Sequence, residues 1–164
     1  TPKDVMGYEK AVEWNGLIGA FGFIVTFSIA FYLAKLAKKH GAKMIHFACL
    51  LFGAISFLWF PTIQNQYVFF AVIIGYGIAW ASMMGIPYLM VVAVIPKERY
   101  GVYMGIINMM IVIPMIIQNL SFGYILKNFL DNDPRQAISF AGVLLMLAAI
   151  CTLLIKIKNT KVSE

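Results

Sequence analysis

The sequence predicts an all-α membrane protein with five transmembrane helices, and three observations lead there. Hydrophobic residues make up 62% of the 164-residue chain and charged residues only 12%, against roughly 45–50% and about 25% in average soluble domains. The charges are also segregated: no Lys, Arg, Asp or Glu occurs from Met44 to Pro96, and none from Tyr100 to Leu126. Finally, the apolar runs break only at short polar stretches such as "PTIQNQ" (61–66), "PKER" (96–99) and "KNFLDNDPR" (127–135). A globular core needs no such runs. A helix crossing about 30 Å of hydrocarbon takes about 20 of these residues.

The first span is expected at about 14–34, between Glu13 and Lys35. The second, about 44–60, stops at Pro61, which cannot continue a helix. The third, about 67–95, closes at Pro96. The fourth covers about 100–126 and the fifth about 136–155, with Pro134 placed to open the last helix. The third and fourth are long for the bilayer, so they must tilt, kink or protrude. Pro87 and Pro114 lie inside them as ready kink sites. Short connections make chain neighbours the expected antiparallel neighbours in space.

Basic residues set the direction. Lys35, Lys38, Lys39, Lys43, Lys97, Arg99, Lys156, Lys158 and Lys161 fall on one side, and only Lys3, Lys10, Lys127 and Arg135 on the other. The richer side is the cytoplasmic one, which puts the C-terminus in the cytoplasm of a multi-pass protein of the cell (inner or plasma) membrane. The net charge of +6 is thereby explained by loops at the lipid surface, not by a nucleic-acid partner. The chain opens on "TPKDVMGYEKAVEW", polar and without an initiator Met, and is expected to be part of a longer protein.

Much chemistry is excluded. No Asp or Glu lies inside a span, and there is no HExxH, no Ser/His/Asp set and no phosphate loop, so no enzyme is expected. Cys49 and Cys151 sit in apolar segments and are expected to be buried small hydrophobes. "DNDP" (131–134) reads as an exposed turn and helix cap. No metal or cofactor is expected. His46, at the edge of its helix, reads as solvated or as bonded to a backbone carbonyl.

What remains is polarity inside the spans. Asn108 and Asn119 lie about 20° apart round a helix and about 16 Å apart along it. Gly101, Gly105, Val112 and Met115 join their stripe, and Gln118 lies beside it. Tyr76, Trp80, Met83 and Pro87 form a stripe on the third span, with Tyr88 next to Pro87. Asn15, Gly19, Gly22, Thr26 and Ala30 align on the first. The ladders Gly101/Gly105, Gly77/Ala81/Gly85 and Gly22/Thr26/Ala30 point to close helix packing. The second and fifth spans are apolar nearly all round, and their few hydroxyls can bond back to their own helices. The first, third and fourth spans are therefore expected to face a wet cavity, and the second and fifth to act as outer, lipid-facing supports. The alternative for each amide is a plain bond to a neighbouring helix. For Trp14 it is an anchor at the membrane interface.

The stretches "GIAWASMMGIPYLMVVAVIP" (77–96) and "GVYMGIINMMIVIPMI" (101–116) resemble the major facilitator superfamily, in its sucrose/maltose-type (glycoside–pentoside–hexuronide-like) branch. The pattern Gly105, Asn108, Ile111, Val112, Ile113, Pro114 is similar to that branch's eleventh helix. "LAKKHGAK" (36–43) resembles the facilitator loop motif, through Lys38, Lys39, Gly41 and Lys43, though it lacks the motif's Asp and has Lys for Arg. The resemblance implies helices 8–12 of a twelve-helix facilitator fold, with the seventh helix and the N-terminal half absent from this chain. It further implies a central cavity lined by the first, third and fourth spans. The coupling carboxylate and arginine would belong to the absent half.

Residues and resemblance together lead to a secondary transporter for a disaccharide or related glycoside, proton-coupled and working by alternating access. The candidate substrate residues are Asn108, Trp80, Tyr76 and Gln118, with Asn15 and Asn119 behind them. Amides match sugar hydroxyls, and aromatic rings match the apolar face of a pyranose. The partners are the sugar, the lipid bilayer and the N-terminal half. A five-helix piece is also open to non-native pairing with itself. The alternative is a non-transporting helical membrane interaction module, with the amides tying helices together.

Overall fold

The computed structural model describes residues 2–155, with side chains from Gly7 onward. Five helices form: α1 (Pro2–His40), α2 (Ala42–Trp59), α3 (Phe69–Val92), α4 (Tyr100–Phe129) and α5 (Pro134–Leu154). All five are long and apolar enough to cross a bilayer, and no strand occurs among the described residues. Lys156, Lys158 and Lys161 lie outside the described residues, and the side chain of Lys3 is not among those described.

The ends differ instructively from expectation. α1 begins at Pro2, far ahead of Trp14, because proline suits a first helical turn and only Gly7 weakens the helix before the apolar run. Its 39 residues reach about 58 Å, so part of it lies beyond any hydrocarbon layer. The expected loop at 36–43 shrinks to Gly41 alone. Its φ of +89° and ψ of 127° lie where a Cβ is strongly disfavoured. Lys38, Lys39 and His40 occupy the last turn of α1, where the helix dipole favours cations.

Between α2 and α3, Phe60–Thr62 and Gln66–Val68 form short 3₁₀ turns. Asn65 Oδ1 caps the second by accepting from Tyr67 N at 2.9 Å. α3 stops at Val92, short of Ile95, and Lys97–Arg99 form another 3₁₀ turn before α4. α4 runs past Leu126 to Phe129. The chain then reverses through Asp131 (φ 48°) and Asn132 (φ 55°). Asp133 Oδ1 accepts from Arg135 N at 2.9 Å, and Pro134 opens α5, so the turn-and-cap reading of "DNDP" holds.

α2 and α3 form the centre: α3 packs between α1 and α2, while α5 packs on the far side of α2. Small residues set these crossings. On the α1 side, a Cβ on Gly77 would stand 3.2 Å from Gly22 O, and the Thr26 hydroxyl donates to Gly22 O at 2.9 Å. On the α2 side, a Cβ on Gly75 would overlap the Ser56 hydroxyl and lie 3.2 Å from Phe52 O. α5 meets α2 where a Cβ on Gly142 would stand 3.1 Å from Leu58 N. As expected, the Ser56 and Thr152 hydroxyls bond back to Phe52 O and Ala148 O of their own helices.

Three expectations are corrected. α2 is not merely an outer support. It buries a face carrying His46, Cys49, Gly53 and Ser56 against its neighbours and turns an apolar stripe of Met44, Phe52 and Ile55 outward. Chain neighbours are not always the packed neighbours. α4 touches α3 only sparsely, and α1 packs chiefly on α3, because the small-residue faces and not loop length decide which helices can close. Cys151 is exposed, whereas Cys49 is buried.

Candidate functional site

α3 carries the aromatic part of the site. Tyr76 and Trp80, one turn apart, stack with ring centroids 5.8 Å apart and planes at 24°. Tyr76 also stacks on Phe57 of α2 at 5.7 Å and 14°. Phe57 was not singled out from the sequence, although its place in the aromatic run "SFLWF" (56–60) was visible there. Tyr76 is half-buried by these contacts. Trp80 is 38% exposed and presents the open ring.

About 12 Å further along α3, the Tyr88 hydroxyl donates to Asn108 Oδ1 of α4 at 2.5 Å. Among the described residues, the amide's two N–H donors have no acceptor. Asn108 therefore does have a partner on a neighbouring helix, and the same partner orients its remaining donors. Beyond that point α4 stands away from the bundle. Every residue from Ile111 to Leu120 is exposed, Gln118 and Asn119 included. The described residues bring neither of those amides to Asn108 or Trp80. Pro87 and Pro114 lie inside α3 and α4, which continue as helix past both. Each proline leaves a carbonyl of the preceding turn, Met83 or Met110, without its intrahelical donor. Asn15 is elsewhere, at the far end of α1 beside Lys10, Trp14 and Gln66.

A buried polar pair lies beneath this surface. His46 of α2 and Ser82 of α3 share a hydrogen bond of 2.7 Å, at 9% and 0% exposure. His46 is thus neither solvated nor bonded to a carbonyl, which corrects the sequence reading. The signal was present as a stripe of His46, Cys49, Gly53 and Ser56 at helical spacing on a helix read as apolar all round.

The family model of the Major Facilitator Superfamily matches residues 2–119. The chain belongs to that superfamily. No curated protein and no solved structure matches it.

As a member of the Major Facilitator Superfamily, the chain is a multi-pass membrane protein of a transporter family, not an enzyme family. The match takes in α1 to α3 and most of α4, with Trp80, Tyr88, Asn108 and Pro114 inside it. In this facilitator chain the basic residues around Gly41 have separate tasks. Lys38 and Lys39 are exposed, whereas Lys43 Nζ donates to Ile155 O at 2.8 Å, neutralising the C-terminal end of α5. At the opposite end of the same helix pair, Arg135 Nη1 reaches Pro61 O at 3.4 Å. The α2–α5 pair of the facilitator is thus tied at both ends by a cation and a carbonyl.

Proposed function

We propose that this facilitator chain supplies helices eight to twelve of a twelve-helix, proton-coupled secondary transporter for a disaccharide or related glycoside. It works by alternating access, with its C-terminus in the cytoplasm. The observation that carries the reading is the Tyr88–Asn108 pair, which holds an amide with free N–H donors at an exposed junction of α3 and α4. Trp80, backed by Tyr76, adds an open aromatic ring on α3. Donors suit sugar hydroxyls, and an aromatic face suits the C–H face of a pyranose. Gln118 and Asn119 reach the sugar in this reading when the rest of the transporter brings α4 over the cavity. Pro87 and Pro114 kink α3 and α4, with unpaired carbonyls giving those helices places to bend as access switches.

The test is uptake of labelled sucrose and maltose by cells making the full-length gene product, with and without a protonophore. Uptake is expected, lost with the protonophore. Trp80→Ala is expected to raise the half-saturation concentration about tenfold, and Trp80→Phe much less. No uptake of either sugar, or uptake indifferent to Trp80→Ala, refutes the glycoside reading.

A second reading is favoured by one observation. Gly101 and Gly105 face open space on an exposed α4, as an assembly helix would present them. A full-length protein that carries no solute and forms a stable oligomer lost on Gly105→Leu would be an interaction module.

A further inference from the structure

Three aromatic rings stack in series across the α2–α3 crossing. Phe57 of α2 lies on Tyr76 of α3 with centroids 5.7 Å apart and planes at 14°. Tyr76 lies on Trp80, one turn further along α3, at 5.8 Å and 24°. Both separations fall in the favourable range for offset aromatic pairs. The three rings differ in freedom. Tyr76 is held by two neighbours, so any other rotamer gives up both stacks. Trp80 is 38% exposed, and among the described residues it stacks on Tyr76 alone. Phe57 is the fixed end. α5 packs so closely behind it that a Cβ on Gly142 would stand 3.1 Å from Phe57 Cβ and 3.1 Å from Leu58 N. The root of Phe57 therefore has no room to retreat from Tyr76.

We propose that Phe57 is a positioning residue: through Tyr76 it fixes the plane of Trp80, so that the open indole face is presented in one orientation. Leu or Met at position 57 would fill nearly the same space against α5 and offer Tyr76 no flat face. Tyr76 is then free to tilt, and Trp80, with its one stacked support loosened, samples several rotamers. A ligand that stacks on the indole must then order it on binding. Ordering one such side chain costs about two- to tenfold in affinity. The consequence for the substrate rests on the glycoside reading above, whereas the ordering of Trp80 by Phe57 does not.

The test uses the full-length protein labelled with fluorotryptophan and read by fluorine NMR, beside uptake of labelled sucrose and maltose. The Trp80 resonance is assigned by its loss in Trp80→Phe, and that of Trp14 by its loss in Trp14→Phe. In Phe57→Leu and Phe57→Met the Trp80 resonance should shift in the direction set by Tyr76→Leu, while that of Trp14 stays in place. The half-saturation concentration should rise about two- to tenfold with little change in maximal rate. Phe57→Tyr keeps the flat face and should restore both. A plain packing role for Phe57 would lower the melting temperature and move neither readout. A Trp80 resonance unmoved in both ring-less variants, or moved equally in Phe57→Tyr, overturns the proposal. Uptake that depends on Trp80 and ignores Phe57→Leu overturns it as well and leaves the glycoside reading standing. A resonance moved and then restored, without uptake of either sugar, upholds the positioning of Trp80 by Phe57 and counts against the glycoside reading alone.

Discussion

Tyr88 holds Asn108 across the α3–α4 junction through a hydroxyl-to-amide hydrogen bond at an exposed position. In the proposed water-filled cavity such a bond contributes little to stability, and its main effect is to aim the amide. Tyr88→Phe keeps the ring and frees the amide to rotate. It is expected to leave the melting temperature nearly unchanged and to raise the half-saturation for sugar several-fold. Asn108→Ala removes the donors themselves and is expected to cost about tenfold or more. Uptake assays beside thermal melts of the same variants check this. Lower melting temperatures with untouched uptake would make Asn108 a helix tie and nothing more.

The two sides of α3 predict opposite responses to one added methyl. A Cβ on Gly75 would overlap the Ser56 hydroxyl with Phe52 O just behind it, whereas a Cβ on Gly85 meets nothing within 4 Å. Gly75→Ala is expected to destabilise the protein by about 1–3 kcal/mol through overpacking. Gly85→Ala is expected to be neutral or slightly stabilising, since alanine is the better helix former. Unfolding followed in detergent separates them. An equal loss at Gly85 would mean that a segment outside residues 2–155 covers that face.

His46 and Ser82 are buried together, so each protects the other from an unpaired state. Ser82→Ala strands the imidazole and is expected to cost about 1–3 kcal/mol. The double variant His46→Ala/Ser82→Ala should be less damaging than the two single losses added. Coupling between polar side chains in membrane helices averages about 0.6 kcal/mol and reaches about 1.7. A double-mutant cycle on the unfolding free energy measures it. Strict additivity would mean that the two residues do not act as a pair.

The glycine ladders show how far sequence reasoning reached. Gly22 and Gly77 were read as close-packing positions and are. The same reading counted Gly85, Gly101 and Gly105, which meet nothing within 4 Å among the described residues. It passed over Gly75 and Gly53, on which the α2–α3 contact turns. Spacing alone shows that a helix has a face of small residues. It does not show which of two such faces on one helix meets which neighbour. α3 has both, one for α1 and one for α2, because it sits between them.

The sequence by itself determined the number of spans, the approximate limits of all but the first, the turn and cap at 131–134, and membership of a membrane class. Each follows from local facts: run length against bilayer thickness, the chemistry of proline and aspartate at a helix start, and the exclusion of charge from hydrocarbon. The tertiary structure decided the rest. It put α2 and α3 together at the centre, gave Asn108 its Tyr88 partner, joined His46 to Ser82, and moved Asn15 to a separate crevice. These are pairings between residues 20 to more than 50 positions apart. In lipid, where burying apolar surface drives no helix onto another, they depend on which backbones can approach closely enough to pack and hydrogen-bond. That is a property of two surfaces meeting, and a single helix read alone contains only one of them.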